Sequence, residues 1–250
     1  MRGLSAQDLL DIWDQGQGLS PSGRAALLLS VACPEYPRPR VDAMTLGERD
    51  ALLAQIRTRT FGQDLASVAA CPACREMVEV SIDMPSLFPD GTSAVSSEAT
   101  SRTPLKIEAD DFVVWAAIPT VRDLDTCVTA ATPAEALGLL IRRCIVRAER
   151  SGNPCDVDDL PEEVRVLIDT RLAEQDPQGA IYLSLHCPAC DHRWSLLFDL
   201  RAYFWIEIQT GARRLLREVH ALASVYGWRE SDILALSPWR RRAYLDLVGG

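Results

Sequence analysis

Lysine is nearly missing from this chain. Of its 26 basic residues only Lys106 is a lysine, and against 35 acidic residues the formal net charge is −9. A chain with that balance lacks the surplus of cations that non-specific nucleic-acid binding needs. The preference for arginine, alongside many alanines, reads as a GC-rich coding bias rather than a phosphate-binding signal. Histidine is scarce too, with three among 250 residues, which leaves little for acid–base work. There is no Gly-x-Gly-x-x-Gly, no P-loop, no Gly-x-Ser-x-Gly and no His-Glu-x-x-His. No catalytic residue and no cofactor-binding residue is therefore assigned, and the chain reads as non-enzymatic. Long apolar runs are also missing. "AALLLSVAC" is too short to span a bilayer, and "MRGLSAQDLLDIWDQGQG" carries acids where a signal peptide would be apolar. The expectation is a cytoplasmic protein with no membrane partner.

Cysteine, by contrast, is plentiful, with eight residues. In a reducing compartment these point to metal or reactive thiols before disulfides. The tetrapeptide "CPAC" begins at Cys71 and again at Cys187, and strand-like sequence follows each copy, "MVEVSIDM" and "RWSLLFDL". Val78, Val80 and Ile82 alternate with Glu79 and Ser81, and "AIYLSLH" precedes the second copy, so both read as turns of β-hairpins. Three readings compete. One structural zinc per chain, held by Cys71, Cys74, Cys187 and Cys190, closes a tetrahedral shell with no open position. Thioredoxin-like redox chemistry would want each thiol pair at a helix N-terminus, whereas strands follow here. Four unligated core cysteines would not explain a repeated tetrapeptide. The zinc reading is favoured, with the residues between the knuckles looped out as an insertion. His186 and His192 flank the second knuckle and read as surface groups or as groups just outside the ligands, since four thiolates complete the site. Cys33, Cys127, Cys144 and Cys155 do not pair at ligand spacing, and Cys144 reads as a small buried hydrophobe.

The predicted fold class is mainly α with a small β element: a discontinuous four-cysteine zinc ribbon, a helical insertion, and a long C-terminal helix plus short helices. The N-terminal helical region covers 1–70. Ser20-Pro21 starts a helix there, and Thr45 with Glu48 forms a capping box for another that ends near Gly62. The first knuckle covers 71–88. A flexible Ser/Thr/Gly/Pro-rich linker covers 89–104. The inserted helical domain covers 105–178. It opens with a strand, "DDFVVWAAIP", and continues with helices at "VRDLDTCVTAA", "AEALGLLIRRCIVRAER" and "EEVRVLIDTRLAEQD", the second with Leu137, Leu140, Ile141, Cys144 and Ile145 on one face. The second knuckle covers 179–200. The last region covers 201–250, where Trp205, Ile208, Ala212, Leu215, Val219, Leu222 and Tyr226 form an a/d seam, followed by two short helices broken at Ser237-Pro238. Acidic clusters at Asp110-Asp111 and Asp156 to Asp159 read as solvated loops, and Arg240 to Arg242 as a charged helix turn.

Three stretches carry a resemblance: "LGERDALLAQIRTRTFGQDLASVAACPACREMVEV", "IPTVRDLDTCVTAATPAEALGLLIRRCI" and "ALASVYGWRESDILALSPWRRRAYLDLV". Together they resemble the baseplate hub assembly chaperone family of T-even-type contractile phages, in its zinc-ribbon-bearing branch associated with phage-tail-like contractile injection systems. The resemblance implies a non-enzymatic assembly factor or minor baseplate component. Its partners would be baseplate or hub proteins, and it would be cytoplasmic or incorporated into an assembled particle. The sequence departs from the ribbon habit of glycine after each knuckle, with Arg75 and Asp191 in those places. Two rival functions are kept, a nucleic-acid-binding zinc ribbon using Arg193 and Trp194, and a thiol oxidoreductase using Cys71 or Cys187. For partner docking, the large apolar residues of the short terminal segment stand out: Trp228, Ile233, Leu236, Trp239 and Tyr244.

Overall fold

The computed structural model describes residues 1–89 and 103–248. The elements are, in chain order, α1 (Ala6–Gln15), α2 (Pro21–Ala32), α3 (Arg38–Asp42), α4 (Leu46–Phe61), β1 (Asp64–Ala70), β2 (Met77–Asp83) and α5 (Met84–Leu87). The insertion follows with β3 (Leu105–Ala109), β4 (Phe112–Ala116), α6 (Val121–Cys127), α7 (Pro133–Cys144), β5 (Ile145–Arg150), β6 (Asn153–Pro154) and α8 (Glu162–Gln175). The chain closes with β7 (Tyr182–His186), β8 (Arg193–Leu197), α9 (Leu200–Tyr226), α10 (Glu230–Ala235) and α11 (Pro238–Val248). The linker expected over 89–104 lies almost wholly on residues 90–102, outside the described residues.

Two compact units share these elements. The first joins Met1–Tyr36, Leu53–Gln63 and Asp199–Gly250. It is helical and built around α9, against which α1, α2, α10 and α11 pack. The α9 N-terminus is capped by the Asp199 carboxylate, which accepts from the N–H groups of Arg201 and Ala202. Gly227 ends the helix in the left-handed region, with φ 66°, and donates its N–H to Ala223. Between these caps Trp205, Ile208, Ala212, Leu215, Val219 and Leu222 are all buried, so the seam is the spine of this unit's core, with Tyr226 half-buried at its end. Arg57 is buried here and holds Glu207 in a two-pronged ion pair at 2.6 and 2.9 Å.

The second unit joins Pro37–Leu52 and Asp64–Phe198. Helix α4 begins there with the reciprocal capping box, Thr45 N–H to Glu48 at 2.9 Å and Glu48 N–H to Thr45 Oγ1 at 3.1 Å. The insertion differs from the helical domain expected. It is a four-stranded antiparallel sheet in the order β3-β4-β5-β6, with α8 packed on it. Phe112, Val114 and Ala116 alternate inward and form one core with Ile107, Ile145, Ala148, Leu160, Val164 and Ile168. The stretch "IVRAER" is therefore a strand and not the end of a helix. Ile145 and Val146 are β-branched, and pairing with β4, Trp115 opposite Arg147 and Val114 opposite Ala148, outweighs helical continuation. The cost shows on α7, whose expected core residue Leu137 is 56% exposed. The acidic clusters make turns and ion pairs. Asp110 takes φ 50° in the β3–β4 turn, Asp111 pairs with Arg150 at 2.6 Å, and Asp156 caps a single 3₁₀ turn. The N-terminal region expected to be helical to residue 70 ends instead in strand β1.

Candidate metal centre

Strands β1 and β2 pair from Asp64–Asp83 to Ala70–Met77, and β7 and β8 from Tyr182–Leu197 to His186–Arg193. Each hairpin ends in a Cys-Pro-Ala-Cys turn, and the two turns are built alike. Cys71 N–H donates to the Glu76 carbonyl and Arg75 N–H to the Cys71 carbonyl, both at 2.8 Å. Cys187 N–H donates to His192 and Asp191 N–H to Cys187, both at 2.9 Å. The residue after each second cysteine must then enter the left-handed region, and Arg75 and Asp191 do so, with φ 64° and 57°. Lacking glycine, the knuckles still form, with a local cost that Asp tolerates better than Arg.

The turns bring Cys71, Cys74, Cys187 and Cys190 together, with all four sulfurs within 4.8 Å of one another. Two contacts cross between hairpins: Cys71 to Cys190 at 3.7 Å and Cys74 to Cys187 at 3.6 Å. A tetrahedral zinc with Zn–S bonds of about 2.3 Å sets its sulfurs ~3.8 Å apart, and both cross-hairpin contacts have that spacing. Cys71 and Cys187 are buried while Cys74 and Cys190 are exposed.

The protonation of the cluster carries the same message. Burial opposes ionisation of Cys71, but the backbone N–H groups of Cys74 and Ala73 and the adjoining sulfurs outweigh it and lower that thiol to about 7. At Cys190 the His192 N–H favours the thiolate, yet the sulfurs of Cys74, Cys187 and Cys71 together with desolvation push the thiol up to about 12. At Cys74 the Glu76 N–H is likewise outweighed and the thiol is raised. Four crowded sulfurs resist collective ionisation, and a divalent cation removes that resistance by supplying the compensating charge.

The histidines stand outside the cluster. His186 Nε2 lies 3.1 Å from Asp191, and the His192 ring stacks on Trp194 at 6.1 Å. None of the eight cysteines forms a disulfide. Cys33, Cys127 and Cys144 are buried, and burial with the nearby Glu35 pushes Cys33 up to about 11, which makes it an inert thiol.

The five residues proposed for docking are divided by the structure. Trp228 stacks on Tyr226 at 4.7 Å and meets Tyr244 edge-on at 4.8 Å. Leu236 is half-buried. Ile233 is 0% exposed, a correction to its reading as a docking residue, because it fills the interior of its own unit. Trp239, 86% exposed, is fully open. Arg241, in the middle of the three arginines, is buried and ties Glu218 at 2.6 Å and the Leu236 carbonyl at 3.2 Å.

Sequence reasoning missed Asp176. Its carboxylate accepts the Gly47 N–H at 2.9 Å, at the start of α4. A Cβ on Gly47 would lie 2.0 Å from that carboxylate, so a larger residue there has to displace Asp176. Gly47 and Asp176 are far apart in the chain, and neither sits in a pattern that marks the pairing.

In this mainly helical chain two hairpins distant in sequence close one four-thiol cluster that could hold a metal ion. Residues 33–205 match the family described as T4 bacteriophage base plate protein, and the chain belongs to that family. The match spans both knuckles and the whole insertion. No curated protein and no solved structure matches the chain. Among the described residues no helix is long and apolar enough to cross a membrane.

Proposed function

We propose that this protein is a non-enzymatic assembly factor or minor component of the baseplate of a contractile tail or tail-like injection system. It belongs to a hub-chaperone branch that carries structural zinc, and it acts in the cytoplasm or within the assembled particle. The observation that carries the reading is the fit of Cys71, Cys74, Cys187 and Cys190 to a closed tetrahedral shell, inside a span that matches a base plate family. A closed shell leaves no position for substrate, so the metal's task is to fasten the two ends of the insertion. Partners are other baseplate or hub proteins, engaged through the terminal segment. Trp239 is the open anchor there, and Trp228 and Tyr244 support it from the half-buried aromatic cluster.

The two rivals find less support. A thioredoxin-like pair would stand at a helix N-terminus, and these pairs stand at hairpin tips. Nucleic-acid binding would need a basic face, and the chain carries −9. The reading is tested by elemental analysis of the full-length protein purified without chelator, together with co-purification against baseplate proteins. One zinc per chain, and retention of a baseplate partner that is lost in Trp239→Ala, are expected. Absence of zinc rejects the metal half. Unchanged partner binding by Trp239→Ala rejects the docking half.

A further inference from the structure

We propose that the four-cysteine cluster is also an oxidation site whose disulfides form between the hairpins, Cys71 with Cys190 and Cys74 with Cys187, so that oxidation locks the junction when it expels the metal. The proposal deepens the metal reading and rests on the same cluster.

Two observations carry it. Two pairs of sulfurs from different hairpins lie in direct contact, Cys71 with Cys190 at 3.7 Å and Cys74 with Cys187 at 3.6 Å. Each of these pairs also contains one exposed and one buried thiol: Cys190 and Cys74 are exposed, while Cys71 and Cys187 are buried. An oxidant arriving from solvent therefore meets one sulfur of each pair first, and the sulfur best placed to complete the reaction lies directly behind it.

The chemistry balances with a hydroperoxide as oxidant. In the zinc-loaded protein all four sulfurs are thiolates. The exposed thiolate attacks one peroxide oxygen, the O–O bond breaks, and a sulfenic acid forms as hydroxide leaves and takes a proton to become water. The buried thiolate then attacks the sulfenic sulfur, the S–O bond breaks, and the leaving hydroxide takes a proton to become a second water as the disulfide forms. Two hydrogen peroxide molecules oxidise the four thiolates, consume four protons, and yield two disulfides, four waters and the free divalent cation.

The consequence is structural. Each cross-hairpin bond closes the same long loop that the metal closes, and loop closure of that length is where a cross-link constrains the unfolded chain most. Within-knuckle disulfides would close only four residues and release the two hairpins from each other. The geometry thus favours a junction that survives oxidation.

The test uses the full-length zinc-loaded protein titrated with hydrogen peroxide. The released metal is followed by a chromogenic zinc indicator, and the products by trypsin digestion and mass spectrometry without reduction. Trypsin leaves Cys71 and Cys74 on peptide 60–75 and Cys187 and Cys190 on peptide 172–193. The proposal expects these two peptides joined, with four hydrogens lost. It also expects the intact chain to run faster on a non-reducing gel and to return to its starting position with dithiothreitol. Two separate, internally closed peptides would overturn it, as would sulfinic acid on Cys74 and Cys190. Pairing is settled with two double variants: Cys71→Ser with Cys190→Ser should still cross-link, whereas Cys71→Ser with Cys187→Ser should cross-link several-fold more slowly. Equal rates overturn the stated pairing. Joined peptides from a protein purified without zinc would uphold the disulfides while rejecting the metal reading, so the two failures remain distinct.

Discussion

The inserted sheet and the cysteine hairpins use the same antiparallel pairing but bury very different amounts. In the sheet, Val114 and Ala116 are wholly enclosed, and α8 lays Val164 and Ile168 over them. In the hairpins, burial is confined to Leu65 and Ile82 near the base of the first and to Cys71 and Cys187 at the tips, while Val68, Met77, Tyr182 and Leu197 face solvent. Each hairpin is a sheet of only two strands, and two strands alone are marginal in water. Where a helix can cover a sheet, apolar burial of about 1.5–3 kcal/mol per large side chain holds it. Where no helix covers the strands, the proposed coordination at the tips would supply the stabilisation. Under that proposal the hairpins depend on the four cysteines and the inserted sheet does not.

Perturbing each source of stability separately breaks the comparison most sharply. Cys187→Ser should remove the metal and with it a local stabilisation on the order of 10 kcal/mol. The expected result is loss of zinc and rapid proteolysis at the hairpins, with the far-ultraviolet spectrum of the helices and inserted sheet largely kept. Ile168→Ala should do the converse. It should destabilise the insertion by about 2–5 kcal/mol in urea unfolding and leave zinc content at one per chain. Loss of metal in proportion to that destabilisation would show that the two regions are not held independently.

Asp176 tests the contact at the start of α4. Burial raises its carboxyl above the ordinary value, against the Gly47 N–H and the Thr45 hydroxyl, which favour the charged form. An acid whose folded value is raised contributes stability that is complete below the unfolded value and is lost as pH rises through the folded one. Asp176→Asn keeps an acceptor for Gly47 and removes the charge. It should match or exceed the parent's stability at neutral pH and flatten the decline between acid and neutral conditions. Asp176→Ala leaves the Gly47 N–H unpaired and should cost about 1–3 kcal/mol. A steeper pH dependence in the Asn variant would contradict this account. The smallest effect separates the two knuckles. Arg75→Gly should stabilise by up to about 1 kcal/mol, and Asp191→Gly by less, because Asp accepts the left-handed region more readily. Thermal unfolding of the zinc-loaded variants measures both.

How much of this was readable beforehand follows the range of the interaction involved. The capping box at Thr45 and Glu48, the seam from Trp205 to Leu222 and the knuckle cysteines are local patterns, and they were legible residue by residue. The strand from Ile145 to Arg150 was not. Its apolar residues continue the spacing of α7, so local periodicity extends the helix, and only pairing with β4 turns the chain into a sheet. Two arginines fix that pairing from the side: Arg147 lies over Trp115 at 4.8 Å and Arg150 over Phe112 at 5.1 Å. Ile233 misled for a related reason. Composition marks a residue as apolar, but whether it faces a partner or its own core depends on how α9, α10 and α11 pack together. The contact between Asp176 and Gly47 had no local signal at all.

Hydrogen exchange with and without a zinc chelator tests the central claim most directly. Chelation should strip protection from the amides of β1, β2, β7 and β8 while those of β4 and β5 keep theirs. Equal loss in the inserted sheet, or no loss in the hairpins, would contradict the division between a region held by burial and one held by coordination.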